Sequence, residues 1–336
     1  MIPFFRPHLA GEEGKLVREV LLSGFLNDGP MTARFEDDLA NFIGVRHVVC
    51  TTSGTAALYL ALRAAGVGPG ESVVVPDLTF MATASAAKMT GAEVLLAEVG
   101  EDLAIDHLTT EHLPARTVVP VHVSGRSART DYPCTVIEDS CEAFPMKPTG
   151  LAACYSFSPL KLITTGQGGA VATDDEDFAS RVRALKDHGR LERDSGDFPT
   201  VGFNFKFTDL QAAVGLAQLK DISRRMKHQH TLVDSYEKRL SGLLRMPHFG
   251  NGSRPLWRDA LTPKRDELVG FLELRGIQAR PFWSAIHTQT PYAMTEGCFP
   301  KATEYSEQGL WLPSDMGMGE ADLDEVCRAV EIFFAR

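Results

Sequence analysis

Positive charge is in short supply: 34 Lys and Arg face 44 Asp and Glu, a formal net charge of −10. Phosphate-backbone binding needs a basic face, so no nucleic acid is expected as a partner, although one locally basic pocket could still hold a phosphorylated small molecule. Long apolar runs are missing as well. None reaches the roughly 18 residues a membrane-crossing helix needs, and the opening MIPFFRPHLAGEEGK lacks a charged leader followed by an apolar stretch. Both absences predict a cytoplasmic protein with no membrane contact. The six cysteines make no C-x-x-C pair and no His/Cys cluster at zinc-finger spacing, which predicts reduced, mostly buried thiols and no metal site. No G-x-G-x-x-G follows the first strand pattern, which argues against a nicotinamide-dependent dehydrogenase.

What is present is enough apolar material, 44% of 336 residues, to bury one large core and a smaller one. Short β-branched runs at 47–52, 72–76, 93–99, 117–123, 134–139, 154–158 and 169–173 alternate with helical patterns at 55–65, 79–90, 176–188 and 208–220. Alternation of this kind predicts an α/β domain with a mostly parallel sheet of about seven strands sandwiched by helices. Residues 222–242 read as a long helix leaving it, followed by a smaller α/β unit with helices near 264–275, 301–309 and 320–334. The predicted division is 1–235 and 236–336. One stretch resists: only 124–133 (SGRSARTDYP) separates two strands that should be parallel neighbours, and its Pro and Gly disfavour the crossover helix such a pair normally takes. Either the crossover is an extended strap or the pairing is wrong.

Three segments carry candidate chemistry. In TTSGTAALYLAL (51–62) a strand stops at Ser53-Gly54-Thr55 and a helix begins, which suits either a phosphate or an ordinary capped turn. In VIEDSCEAF (136–144), Glu138 and Asp139 end an apolar strand, where a carboxylate can bind a metal, pair with a protonated ring nitrogen, or merely cap a helix. In CYSFSPLKLITTGQGGAV (154–171), Lys161 lies in an apolar run, where poor solvation favours the neutral amine that attacks an aldehyde; a surface lysine is the alternative. Anchor, ring partner and imine former are together what pyridoxal 5'-phosphate (PLP) requires.

The chain resembles the DegT/StrS sugar aminotransferases of PLP fold type I almost end to end. The likeness is carried by SGFLNDGP (23–30), SGTAALYLAL (53–62), PDLTFMATASA (76–86), VPVHVSGR (119–126), IEDSCEA (137–143), SFSPLKLITTGQGGAV (156–171), GFNFKFTDLQAAVGLAQL (202–219) and RPFWSAIHTQTPY (280–292). The resemblance implies that Lys161 holds PLP as a Schiff base and shuttles the substrate proton, while Asp139 keeps the pyridine nitrogen protonated. It further implies that Phe80 stacks on the ring, that Ser53, Gly54, Thr55 and Ser156 hold the phosphate, and that Asn204 reaches the cofactor of a neighbouring subunit in a homodimer with shared sites. His287 matches a position near the sugar.

Some positions depart from the family pattern. Glu142 stands where many members have Gln; the variant resembles the branch making perosamine-type 4-amino sugars, and its implied contact is the cofactor's O3'. Lys206 stands where Arg is frequent, at a position expected to meet substrate, and keeps the charge without the planar fork. Segments 124–133 and 144–153 are shorter than usual. The implied reaction moves an amino group from L-glutamate to a nucleotide-linked 4-keto-6-deoxysugar, with GDP-4-keto-6-deoxymannose favoured over dTDP- or UDP-keto-sugars aminated at C3 or C4. A dehydratase of the same scaffold would carry His at the Schiff-base position, and a non-catalytic regulatory relative would not need Lys161, Asp139 and Asn204.

Overall fold

The computed structural model describes residues 1–110, 113–192, 196–293 and 297–336. Seven strands form one sheet: β1 (His47–Thr51), β2 (Ser72–Pro76), β3 (Glu93–Ala97), β4 (Thr117–Val118), β5 (Thr135–Asp139), β6 (Ala152–Ser156) and β7 (Gly169–Thr173). Their order is β1-β7-β6-β5-β4-β2-β3, parallel from β6 through β3, with β7 antiparallel to both of its neighbours. Every residue of β7 is buried, as are Ala152 to Tyr155 of β6. That is why these strands read as continuous small and β-branched runs rather than as alternating ones. The helix Gly54–Ala64 packs across β1, β5, β6 and β7. Among the described residues no helix is long and apolar enough to cross a membrane.

The expected seven strands are all there, and most boundaries agree to within two residues. The strand expected at 117–123 is only two residues long, and at Val123–Gly125 the chain turns through a 3-10 bend with Ser124 at φ 52° and Gly125 at φ 94°. β4 and β5 are nevertheless parallel neighbours, so the crossover at 119–134 is an extended strap. A strap without a helix must satisfy its backbone elsewhere. The Ala128 amide donates to His122 Nδ1 at 3.0 Å, while His122 Nε2 lies 3.0 Å from Glu138 Oε2. Glu138 Oε1 in turn accepts the amides of Thr149 and Gly150, both at 2.6 Å, and Thr130 and Thr149 share a hydroxyl hydrogen bond of 2.6 Å. Glu138 is thereby committed to tying segments 124–133 and 144–153 together.

The sequence reading places no helix before residue 55, yet Glu12–Ser23 and Pro30–Ile43 are helical. Their punctuation was legible: Pro30 opens one, and Gly24 and Gly44 close them in left-handed conformation. Beyond the large sheet, β8 (Arg258–Leu261), β9 (Arg280–Pro281) and β10 (Gly309–Leu312) form an antiparallel sheet in the order β8-β10-β9. The helix Ile222–Leu240 serves both cores, with Ile222 in the large one and Leu232, Tyr236 and Leu240 in the smaller.

Candidate active site

The carboxyl ends of the parallel strands and the start of the first large-sheet helix meet at one cavity of about 380 Å³. Ser53 caps the helix, its Oγ accepting the Ala56 amide at 3.1 Å, and the first amides of any helix have no partner within it. Gly54 is required by close approach. A Cβ there would lie 2.8 Å from Cys141 Sγ and 2.9 Å from Ser156 Cβ, so the helix start, the turn after β5 and the end of β6 converge on a cradle with no room for a side chain. Gly54→Ala is accordingly expected to destabilise the fold by about 1–3 kcal/mol through overpacking and to weaken cofactor binding more than tenfold. Thermal unfolding and an absorbance titration would read both, and an unchanged affinity would contradict the cradle.

Asp139 ends β5 with its carboxylate buried and oriented: Oδ2 accepts Thr83 Oγ1 at 2.7 Å, and Oδ1 accepts the Cys141 amide at 3.0 Å. Glu142 lies on the turn beyond. Burial pushes its carboxyl above the usual glutamate range, opposed by the Lys161 charge and by the Ser124 amide, which donates to Oε2 at 2.9 Å. Lys161 lies on the connection between β6 and β7, with Nζ 3.3 Å from Glu142 Oε1 and 5.0 Å above the Trp257 ring. Its side chain is 14% exposed, so it opens into the cavity rather than to the surface.

Ser53, Gly54, Thr55 and Ser156, together with Phe80, Asp139, Glu142 and Lys161, line this one cavity. The other expected residues stand outside its lining. Asn204 is exposed and bridges to Asp187, whose carboxyl, although burial pushes it up, is brought down to about 2 by hydrogen bonds from Arg190 and Lys206. Lys206 Nζ is 2.6 Å from Asp187 Oδ1. His287 is anchored twice by Asp77, through Nδ1 at 2.6 Å and through its amide at 2.8 Å.

Several lining residues escaped the sequence reading. The chain has three tryptophans, and Trp257, Trp283 and Trp311 all line the cavity, with Trp283 centred 6.2 Å from Phe80 and 4.7 Å from Trp311. Among the described residues, Arg280 joins Lys161 as the only other Lys or Arg in the lining. Their scarcity and the RPFWSAIH stretch were the available signals. Thr83, which orients Asp139, follows Thr79 at a spacing of one helical turn, and the two hydroxyls are 3.0 Å apart.

These residues fit PLP. The cavity wall brings the Ser53, Thr55 and Ser156 hydroxyls beside the helix-start amides, donors that suit a phosphate. Asp139 offers a buried carboxylate for a pyridinium, Phe80 a ring face, and Lys161 an amine.

Comparisons with known proteins find relatives along nearly the whole chain. The DegT/DnrJ/EryC1/StrS aminotransferase family model matches residues 7–331. A GDP-perosamine synthase of Caulobacter vibrioides is 33% identical, over 97% of this chain and 96% of its own length. One from Vibrio cholerae is 29% identical over 99% of both. Among solved structures, S. venezuelae DesV in complex with a ketimine intermediate superposes with a TM-score of 0.94 at 30% identity, covering 100% of this chain and 99% of its own. The chain belongs to the DegT/DnrJ/EryC1/StrS aminotransferase family and is a PLP-dependent sugar aminotransferase.

Proposed function

We propose that the protein moves an amino group from L-glutamate to a nucleotide-linked 4-keto-6-deoxysugar, GDP-4-keto-6-deoxymannose by preference, giving GDP-perosamine and 2-oxoglutarate. The observation that carries this reading is the cavity beside Lys161: its wall is built of Phe80, Trp283 and Trp311. Flat aromatic faces pack against the C–H faces of a pyranose, and an apolar wall suits a C6 methyl group better than a C6 hydroxyl, which would lose its water there. The choice of GDP rests on similarity to the two GDP-perosamine synthases.

PLP, when bound, supplies an aldehyde and an electron-withdrawing ring. The chain's own residues do the rest. Lys161 holds the cofactor and then moves the proton at the substrate carbon. Asp139 pairs with the ring nitrogen, and Thr83 and the Cys141 amide keep its carboxylate aimed. Ser53, Gly54, Thr55 and Ser156 would hold the phosphate, Phe80 would cover the ring, and Glu142 would contact its O3'. Arg280 meets the anionic groups that glutamate and the sugar nucleotide share. His287 and Lys206, which stand outside the cavity lining of their own chain, are the further residues that would meet substrate.

The active unit is a homodimer with shared sites. Asn204 is exposed and stands outside the cavity of its own chain, as a residue serving a second copy would. Nearby, Phe25 (63% exposed) and Leu191 (73% exposed) flank the groove that contains Asp187, the bridge partner of Asn204, and leave apolar surface for a partner to cover.

Coupled turnover with glutamate and GDP-, dTDP- or UDP-linked 4-keto-6-deoxysugars tests the proposal. The expected result is 2-oxoglutarate release, with kcat/KM highest for the GDP sugar. Release with none of them would remove the substrate class, and a preference for dTDP or UDP would remove the nucleotide.

A further inference from the structure

The strap that replaces a crossover helix contains a residue whose polar atoms are all engaged. Ser124 is fully buried and sits in the left-handed region at φ 52°, a conformation that a non-glycine residue keeps only where its surroundings over-determine it. Its amide donates to Glu142 Oε2 at 2.9 Å. Its carbonyl accepts the Leu256 amide at 3.0 Å. Its hydroxyl donates to Asp259 Oδ1 at 2.6 Å and accepts the Trp311 indole N–H at 3.1 Å. Three of these partners lie in or beside the three-stranded sheet; the fourth touches Lys161.

We propose that Ser124 is a positioning residue that joins the three-stranded sheet to the cofactor site: Asp259 and Trp311 hold its hydroxyl, and the amide so fixed aims Glu142 at Lys161. The neighbouring residues lock the same junction. The Gly125 carbonyl accepts the Arg254 amide at 2.6 Å, a contact so close that a Cβ on Gly125 would collide with that residue's carbonyl. Arg126, buried, pairs with Asp259 and donates to the Pro247 carbonyl at 2.8 Å. Asp259 is therefore held from behind by a cation while it holds Ser124 in front. Trp257, next to the Leu256 that Ser124 binds, places its ring under Lys161 Nζ. Two routes from the smaller sheet thus end on the same lysine, one through Ser124 and Glu142 and one through Trp257.

The consequence is electrostatic. Lys161 and Asp139 are the charged groups that act on Glu142 from the cavity side, and Asp259 with Arg126 stand behind Ser124. An amide hydrogen bond favours the ionised form of a buried carboxylate, and that anion in turn favours the protonated form of a nitrogen beside it. With the Ser124 hydroxyl removed, the amide loses its anchor, Glu142 loses its aim, and the pH midpoint of the cofactor-loaded protein falls.

The inference rests on Lys161 being the residue that carries PLP, and the test separates the two. The readout is the pH midpoint of the visible band of the cofactor-loaded protein, with thermal unfolding as the control for folding. Glu142→Gln is expected to lower the midpoint by about one pH unit. Ser124→Gly, which keeps the amide and tolerates the left-handed backbone, is expected to lower it by about half a unit or more; Ser124→Ala gives the same reading should the glycine variant fold poorly. A midpoint that stays put in the Ser124 variants while Glu142→Gln moves it would overturn the role of Ser124. No movement in Glu142→Gln would overturn it too. A titrating band that survives in Lys161→Ala would remove the reading of the site, and the inference with it.

Discussion

Lys161→Ala is expected to lower turnover by at least about 10⁴-fold, because it removes both the covalent attachment point and the group that moves the substrate proton. Among the described residues no other lysine lines the cavity to take over its role. The variant should also show a stability signature of defined sign. Lys161 is a main opponent of the burial that pushes the Glu142 carboxyl upward, so without it that carboxyl rises further. An acid whose folded-state value lies above its unfolded value binds more protons in the folded state, and stability falls as pH rises from the ordinary glutamate range through the raised folded value. Unfolding free energy for Lys161→Ala should therefore differ from the parent by a fixed amount below that range and fall further behind it above. Denaturant unfolding across pH checks this, and a constant difference would show that Lys161 does not act on Glu142.

Asp139→Asn is expected to cost about 10²–10³-fold in turnover, the usual size for deleting one pre-aimed charge in a water-poor site, while cofactor uptake survives. The substitution keeps the shape of the side chain and an oxygen for one of its two donors. One oxygen becomes a donor and faces either the Thr83 hydroxyl or the Cys141 amide, at a cost of about 1 kcal/mol. A hydroxyl can rotate and a backbone amide cannot, so the new NH₂ should settle toward Thr83. Steady-state kinetics decide the matter: near-normal turnover would show that no ring nitrogen depends on this carboxylate.

The sheet was legible because its signal is local. β-Branched runs and their spacing depend on neighbours a few residues away, and seven of them became seven strands. Ser53, Gly54, Thr55, Asp139 and Lys161 were legible for the same reason, since each sits at a strand end, a helix start or a short turn, whereas Phe80, Glu142 and Ser156 came only with the family resemblance. The strap was not. Its conformation is decided by Arg126 with Asp259 and by Gly125 with Arg254, pairs more than a hundred residues apart, and no periodicity reports such contacts. The tryptophans came from the smaller sheet or beside it, and β8 and β10 bring Trp257 and Trp311 to the cavity only after the two sheets have met. Glu138 and Asp139 show the limit most plainly: adjacent acids on one strand point to opposite faces. One locks two loops and the other faces the cofactor cavity, and only the observed register says which.

Borohydride reduction of the cofactor-loaded protein, followed by peptide mapping, tests the assignment of Lys161 most directly. The expected result is one reduced pyridoxyl group per chain, on the peptide containing Lys161. A label on any other lysine, or on none, would contradict it.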